Sequence, residues 1–373
     1  MEINGFSIEN LDVFRLRAIV NIISSPHGGG AELLVREMHR ELVGRGIKAY
    51  AVYMDGTIIN PIKNELIIGL HPRSPLNIFR LRKLLKQFAK NASGELVVHV
   101  HLTWPLYYVT LSTLGLKNIK LIFTEHSTSN KRRKIPLFWL VERLFYRKYH
   151  RIICISEGVK TSLSNWVGFE ISRRLITIYN GARIYSYVER PSLDGRLCKL
   201  ISIGSLTTRK NFLPVVKAIV HLREEVESYT ILGEGRERKR LEQVVDREGL
   251  GNKVRLLGWM DDIEAHLRMA DIQIVPSLWE GFGLVAVEGM STGLPQVASN
   301  VPGLREVLDK STPSVAFVGR PESVEEWVFV IRKMIANIRL QGVDRLAGFS
   351  RLQAEKFTFN EMVESYLEIY RRV

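Results

Sequence analysis

Two glutamates eight positions apart, Glu280 and Glu288, flank a glycine-rich turn in the stretch Glu280-Gly281-Phe282-Gly283-Leu284-Val285-Ala286-Val287-Glu288. A strand-like apolar run precedes the stretch at residues 272–276, and a short apolar segment follows it and stops at Gly293-Leu294-Pro295. The order strand, tight loop, buried helix and stop sets the loop at a helix N-terminus. Unpaired N–H groups and the positive helix end favour an anion there, and glycines let a phosphate approach the backbone closely. Gly281, Phe282, Gly283 and Leu284 therefore suit a sugar diphosphate. Glu288 lies among Val285, Ala286, Val287 and Met290, so its carboxylate needs a partner. A ribose diol or a pair of sugar hydroxyls would serve, and so would an arginine or a backbone N–H.

Three further groups carry chemistry. Arg209 and Lys210, in Gly204-Ser205-Leu206-Thr207-Thr208-Arg209-Lys210-Asn211, follow another strand-like run. Ligands of doubly wound folds bind beyond the carboxyl ends of strands, where fixed cations stabilise charge growing on a leaving diphosphate; the alternative is a solvated surface loop. His27-Gly28-Gly29-Gly30-Ala31-Glu32 opens an early helix, but G-x-G-x-x-G spacing is absent and no acidic residue ends the second strand, so NAD binding is not expected. Its plain alternative is a tight turn. His126 ends a strand in Glu125-His126-Ser127-Thr128-Ser129-Asn130, and a single histidine is more often structural than catalytic. His99 and His101 alternate on one strand without an evident third ligand, so no metal site is assigned.

The elements that must position these residues alternate regularly. Strand-like runs at 18–24, 49–53, 96–101, 121–125, 152–156 and 176–179 are separated by helical patterns, and a turn-rich link at 189–195 breaks the series. A second series has strands at 197–204, 228–232, 254–257, 272–275 and 296–298, and residues 362–370 read as a terminal helix. With 373 residues and 46% hydrophobic content, the chain suits two cores. The expected architecture is α/β, two doubly wound Rossmann-like domains facing each other across a cleft. The domains divide at 1–185 and 186–373, the second including the terminal helix.

The charge is as uneven as the fold is regular. Residues 1–185 hold 27 Lys+Arg against 13 Asp+Glu, whereas 186–373 hold 26 of each. The first half therefore asks for an anionic partner: nucleic acid, an acidic membrane surface or a phosphorylated acceptor. Two stretches there are basic and apolar together, 79–90 and 131–149, and either could lie in a membrane interface. The alternative is that both apolar faces pack on the sheet. Residues 1–10 read as neither signal peptide nor anchor, and Cys154 and Cys198 fit a reducing compartment. A cytoplasmic protein is expected.

Taken together these motifs resemble the retaining glycosyltransferases of family four, of the bacterial surface-polysaccharide type and the GT-B fold. The resemblance runs from Gly28-Gly29-Gly30 through Ser156-Glu157, Asn180-Gly181, Gly204 to Lys210, Gly233-Glu234-Gly235 and Gly258. It ends on the Glu280-x7-Glu288 block and Ala298-Ser299-Asn300-Val301-Pro302-Gly303. It implies that the second domain binds a nucleotide sugar and the first an acceptor. By position, Glu288 would hold the ribose hydroxyls, Phe282 to Leu284 the diphosphate and donor sugar, and Glu280 the donor sugar. Lys210 matches a phosphate-binding lysine, Gly29 or Gly30 would approach the diphosphate, and His126 aligns with a histidine near the transferred sugar. The family often has arginine where Ser205 stands; Arg209 is the substitute charge.

The resemblance further implies retention by front-face attack, with no cofactor and no bound metal, and the sequence contains no Asp-x-Asp. The expected enzyme transfers a hexose or N-acetylhexosamine from a nucleotide sugar, a UDP-sugar first, to a glycan or polyprenyl-diphosphate-linked acceptor. That acceptor would sit at the inner face of a cytoplasmic membrane, with the anionic membrane surface as a candidate partner. A sugar-nucleotide epimerase of the same architecture and a non-catalytic basic binding protein are the competing readings. No nucleic-acid-binding motif supports the latter, so no nucleic-acid partner is expected.

Overall fold

The computed structural model describes residues 18–92, 94–128, 133, 135, 137–260 and 262–373. Lys131, Arg132 and Lys134 of the basic run, with Ser129, Asn130, Pro136 and residues 1–17, lie outside the described residues. The chain forms two compact units, Met1–Ile155 with Val159–Ile178 and Val363–Val373, and Ser156–Gly158 with Tyr179–Met362.

The first unit contains strands β1 (Ile19–Ile23), β2 (Ala49–Tyr53), β3 (Glu65–Ile67), β4 (Leu96–His101), β5 (Ile119–Glu125), β6 (Arg151–Cys154) and β7 (Leu175–Thr177). They pair in parallel in the order β3-β2-β1-β4-β5-β6-β7. Every residue of β1 and β4 is buried, as a sheet covered on both faces requires. The connecting helices are α1 (Gly30–Gly44), α2 (Asn77–Asn91), α3 (Thr103–Ser112), α4 (Phe138–Tyr146), α5 (Glu157–Val167) and α6 (Phe169–Ser172).

The second unit contains β8 (Cys198–Ile203), β9 (Val226–Leu232), β10 (Val254–Gly258), β11 (Ile272–Val275), β12 (Gln296–Ser299) and β13 (Val315–Val318), in the parallel order β10-β9-β8-β11-β12-β13. Its helices are α7 (Phe212–Ala218), α8 (Arg238–Arg247), α9 (Ile263–Met269), α10 (Leu284–Ser291), α11 (Pro302–Val307), α12 (Val324–Gln341) and α13 (Val343–Ala354). Helix α14 (Phe359–Arg372) ends the chain. Val215, Tyr229, Ile274 and Trp327 meet in one core joining strands to α7 and α12. In both sheets the strand order reverses beside the first strand, the switch point at which open α/β folds place ligands.

Two strands escaped the sequence pattern. Strand β3 is short and polar-edged, held by Glu65 taking hydrogen bonds from Arg36 Nε (2.9 Å), Tyr53 Oη (2.7 Å) and the Ile62 N–H (2.8 Å). Strand β13 is a four-residue sheet edge beyond Gln296–Ser299. The strand expected to reach Ser156 stops at Cys154. The terminal helix, expected within a second domain ending at 373, contributes residues from Val363 onward to the first unit. The cause is packing: Tyr366 and Tyr370 are buried and reach Thr124 and His99 of that unit's sheet. Among the described residues no helix is long and apolar enough to cross a membrane.

Candidate active site

In the second unit the loops after β8 and β11, adjacent strands at the switch point, are fastened together. The Leu278 N–H donates to the Arg209 carbonyl at 2.8 Å. Thr208–Lys210 form one 3-10 turn that sends Lys210 inward to an ion pair with Glu280, where both side chains are buried. Ser277 Oγ donates to the same carboxylate at 2.8 Å, and Arg209 Nη1 stands 4.0 Å from its second oxygen. Burial alone would raise the Glu280 pKa, but Lys210, Arg209 and Ser277 outweigh it and hold the carboxyl below its ordinary range. The loops after β8 and β11 thus bring a buried lysine against an ionised carboxylate.

Backbone crowding explains the glycines around this pair. A Cβ on Gly303, in α11, would stand 2.5 Å from the Glu280 carbonyl oxygen, and one on Gly233 2.1 Å from that of Gly204. Gly283 has φ +98°, a left-handed conformation suited to glycine, and caps α10 with no side-chain hydrogen bond. The first N–H groups of α10 are therefore not claimed by a capping side chain. Phe282 is buried, its ring 5.4 Å from Phe357 and 5.9 Å from Tyr179. Its ring anchors the loop, and its backbone is the part available to a ligand.

Glu288, on α10, behaves differently from Glu280. Burial pushes its pKa up to about 7, against the opposing influence of Arg183. Tyr185 is raised to about 12 by burial and by Glu288. Arg183, Tyr185 and Ser277 are site residues that sequence reasoning missed; the signal was their position just after Asn180-Gly181 and just before Glu280.

In the first unit Gly29 caps α1, and its N–H donates to Glu32 Oε2 at 3.1 Å, the returning half of a capping box whose other half glycine cannot make. Gly30, the first helical residue, is the better placed of the two for an outside anion. His126 follows β5, and burial lowers its pKa to about 4. Its Nε2 lies 3.2 Å from His101 Nδ1. The His101 ring is 4.0 Å from that of His99, whose nitrogens meet Tyr370 Oη at 2.6 Å and Thr124 Oγ1 at 2.7 Å. Burial pushes His99 and His101 well below the ordinary histidine pKa as well, so all three rings are neutral at pH 7.

The tautomers follow from the network. Among the described residues His101 Nε2 is buried without a hydrogen-bond partner, and an orphaned N–H is the rarer and costlier defect. The proton therefore sits on His101 Nδ1 and is donated to His126 Nε2, which leaves the His126 proton on Nδ1. His126 is a neutral hydrogen-bond donor. The sequence reading named His126 but did not connect it to His101, because the pairing joins neighbouring strands.

The structure therefore gathers Arg209, Lys210 and Glu280 into one cluster, with Gly281 to Leu284 leading from it into α10 and on to Glu288. Gly29, Gly30 and His126 belong to the first unit.

Comparison with known proteins identifies the family. Residues 28–184 match the family model described as Glycosyltransferase Family 4, and residues 189–341 match that of Glycosyl transferases group 1. An uncharacterised glycosyltransferase of Methanocaldococcus jannaschii is 25% identical over 375 residues, spanning 96% of this chain and 99% of its own length. The lipopolysaccharide core biosynthesis glycosyltransferase LpsD of Rhizobium meliloti is 26% identical over 233 residues, 61% of this chain and 65% of that protein. The crystal structure of Anabaena HepE with UDP and glucose superposes with a TM-score of 0.79 at 18% identity, covering 96% of this chain and 100% of HepE. With the two family models together matching residues 28–184 and 189–341, and the paired parallel sheets to house them, this protein is a glycosyltransferase of family four with the GT-B fold.

Proposed function

We propose that this enzyme moves a hexose or N-acetylhexosamine from a UDP-sugar to a glycan or polyprenyl-diphosphate-linked acceptor in surface-polysaccharide synthesis, with retention of anomeric configuration and without a metal ion. The observation that carries the donor half of this reading is the buried Lys210–Glu280 pair at the switch point, one turn from the uncapped start of α10. Supporting it, HepE is crystallised with UDP and with UDP-glucose, and LpsD and the Escherichia coli O-antigen enzyme WclY act in surface-glycan synthesis by their names.

In this reading Glu288 accepts hydrogen bonds from the ribose diol, and the backbone of Gly281 to Leu284 holds the diphosphate with Lys210 and Arg209. Glu280 orients Lys210 and meets a donor-sugar hydroxyl with its remaining lone pairs. Gly30 and His126, both of the first unit, keep the roles that the family resemblance implies for them. The bond from the anomeric carbon to the diphosphate oxygen breaks, and the acceptor oxygen bonds to the same face of that carbon. The acceptor proton passes to the departing phosphate. Lys210 and Arg209 neutralise the charge that grows there, the task a divalent cation performs in other enzymes.

A panel of UDP-, GDP- and ADP-sugars, read by donor hydrolysis and saturation-transfer NMR, tests the donor. UDP-sugars should be turned over and Glu288→Ala should abolish that turnover; unchanged turnover in the variant would sink the ribose assignment. Product anomeric configuration by proton NMR, with and without chelator, tests retention and metal independence: inversion, or loss of turnover with chelator, would overturn them.

A further inference from the structure

Helices α2 and α4 both belong to basic, apolar stretches, yet the fold treats them in opposite ways. In α2 Leu81 and Leu85 in the middle of the helix are fully buried, Lys83 and Lys86 point to solvent, and of the large apolar residues only Phe79, at its start, is exposed. In α4 the buried face is the polar one. Glu142 is fully buried and accepts hydrogen bonds from Tyr107 Oη and from Trp166 Nε1 at 2.6 Å, and Tyr146 is buried beside it. The outward face is apolar, with Leu140 46%, Val141 42% and Leu144 60% exposed, and Leu137, just before the helix, 68% exposed.

The outward face ends in cations. Leu140, Leu144 and Lys148 follow one another at four-residue spacing, and the Lys148 N–H bonds the Phe145 carbonyl at 3.0 Å, so the turn continues past the helix end. Lys148 and Arg147 open onto a recess of about 500 Å³ at the starts of β5, β6 and β7, lined also by Lys120, His150, Arg151 and Arg174 and by Arg372 and Val373. Lys120 and Arg147 pair with Glu95 and Glu170. Arg151 and Arg174 bond only backbone carbonyls, and no ion pair is made by Lys148, Arg151 or Arg174 among the described residues. Burial, then Lys120 and Arg174, lower the pKa of His150, an internal reporter of the positive field.

A contiguous apolar surface on a soluble protein marks a partner, and the cations decide which. A second copy docked through a two-fold axis would set one cationic recess near the other, against like-charge repulsion. We propose that the α4 face and the adjoining recess form the surface by which this chain lies on an anionic phospholipid bilayer. Leu137, Leu140, Val141 and Leu144 enter the boundary between headgroups and acyl chains, and lipid phosphates meet Lys148, Arg151 and Arg174. Helix α2 takes no part.

Sedimentation of the full chain with phosphatidylcholine vesicles, with and without phosphatidylglycerol, tests this. The protein should sediment with the anionic vesicles, and Leu140→Glu/Leu144→Glu should release it. Lys148→Gln/Arg151→Gln should weaken binding roughly fivefold for each cation removed, with the loss shrinking at high salt. Lys83→Gln/Lys86→Gln on α2 removes the same charge and should change binding little. Donor hydrolysis by every variant checks that it is folded. The proposal is overturned by equal binding to neutral vesicles, by wild-type sedimentation of the α4 variant, or by an α2 variant as impaired as the recess variant. It is equally overturned if sedimentation velocity without lipid shows a dimer that Leu140→Glu/Leu144→Glu splits.

Discussion

The two units repeat one strand order and use it for opposite electrostatics. At the switch point of the second sheet stand Lys210 and Arg209, tied to an ionised Glu280. In the first unit, beyond β4 and β5, stand His101 and His126, buried enough to stay neutral. A parallel sheet delivers side chains to its carboxyl edge in either case, and what differs is whether each group arrives with a counter-ion. Glu280 is buried with Lys210 and keeps its charge; the histidines are buried with one another and with Tyr370 and Thr124, and lose theirs. The lesson is a division of labour: fixed charge suits a leaving diphosphate, and neutral donors suit sugar hydroxyls.

The largest break in this contrast should come from removing the fixed charge. Lys210→Ala should lower kcat by about 10²–10³, the usual effect of deleting one group that stabilises developing charge. It should also destabilise the fold by up to about 3–5 kcal/mol, because buried Glu280 loses its close cation and keeps only Ser277 and the more distant Arg209. Lys210→Ala/Glu280→Gln should recover most of that stability and none of the turnover, checked by thermal unfolding beside donor hydrolysis. Recovery of turnover in the double variant would mean that the charge is structural only.

A smaller effect probes the neutral side. Asparagine can place an N–H where His126 carries Nδ1–H, and glutamine cannot, so His126→Asn should keep more activity than His126→Gln, within the roughly 10²-fold that positioned proton donors contribute. Removing the His101 donor by His101→Leu frees His126 to change tautomer, which nitrogen-15 NMR of labelled histidine reads directly. The sign of the pH effect on stability is fixed as well. Unfolded histidine protonates near 6.5, roughly, and folded His126 only at about 4. Stability conferred by the neutral rings is thus present above pH 6.5 and lost as pH falls across that window, which melting temperatures from pH 7.5 to 4 will show.

Glu288 offers the mildest and sharpest test, since it is the one acidic site residue whose pKa rises. Folding shifts it from an ordinary 4.5 to about 7, so it costs stability as pH climbs between those values. A ribose diol that donates hydrogen bonds favours the carboxylate, so donor affinity should weaken about tenfold for each pH unit below 7. Glu288→Gln should bind more weakly and lose this slope. A wild-type affinity flat from pH 5.5 to 8 would contradict the assignment.

Much of the fold was legible because apolar periodicity and glycine-rich punctuation are local signals. Eleven strand segments stood out as apolar runs, whereas β3 did not, since Glu65 and its partners Arg36 and Tyr53 meet only in the folded chain. The Glu280 to Glu288 turn was readable from spacing, yet the Arg183–Tyr185–Glu288 grouping was not, because more than a hundred positions separate its parts. The basic stretches show the limit most clearly. Residues 79–90 and 131–149 are both basic and apolar, and nothing in either sequence says which face will meet the sheet.

What the sequence determined alone was the kind of chain: two alternating α/β series, glycines where backbones must touch or turn, and cations and carboxylates at the loop positions where such folds bind anions. What the tertiary structure decided was the state of each group. Burial and partners come from elements far apart in the chain, and they set Glu280 ionised beside Lys210, Glu288 poised near neutrality, His126 a neutral donor beside His101, and α4 turned with its leucines toward solvent. Protonation and exposure are properties of surroundings, and the surroundings exist only once the chain has folded.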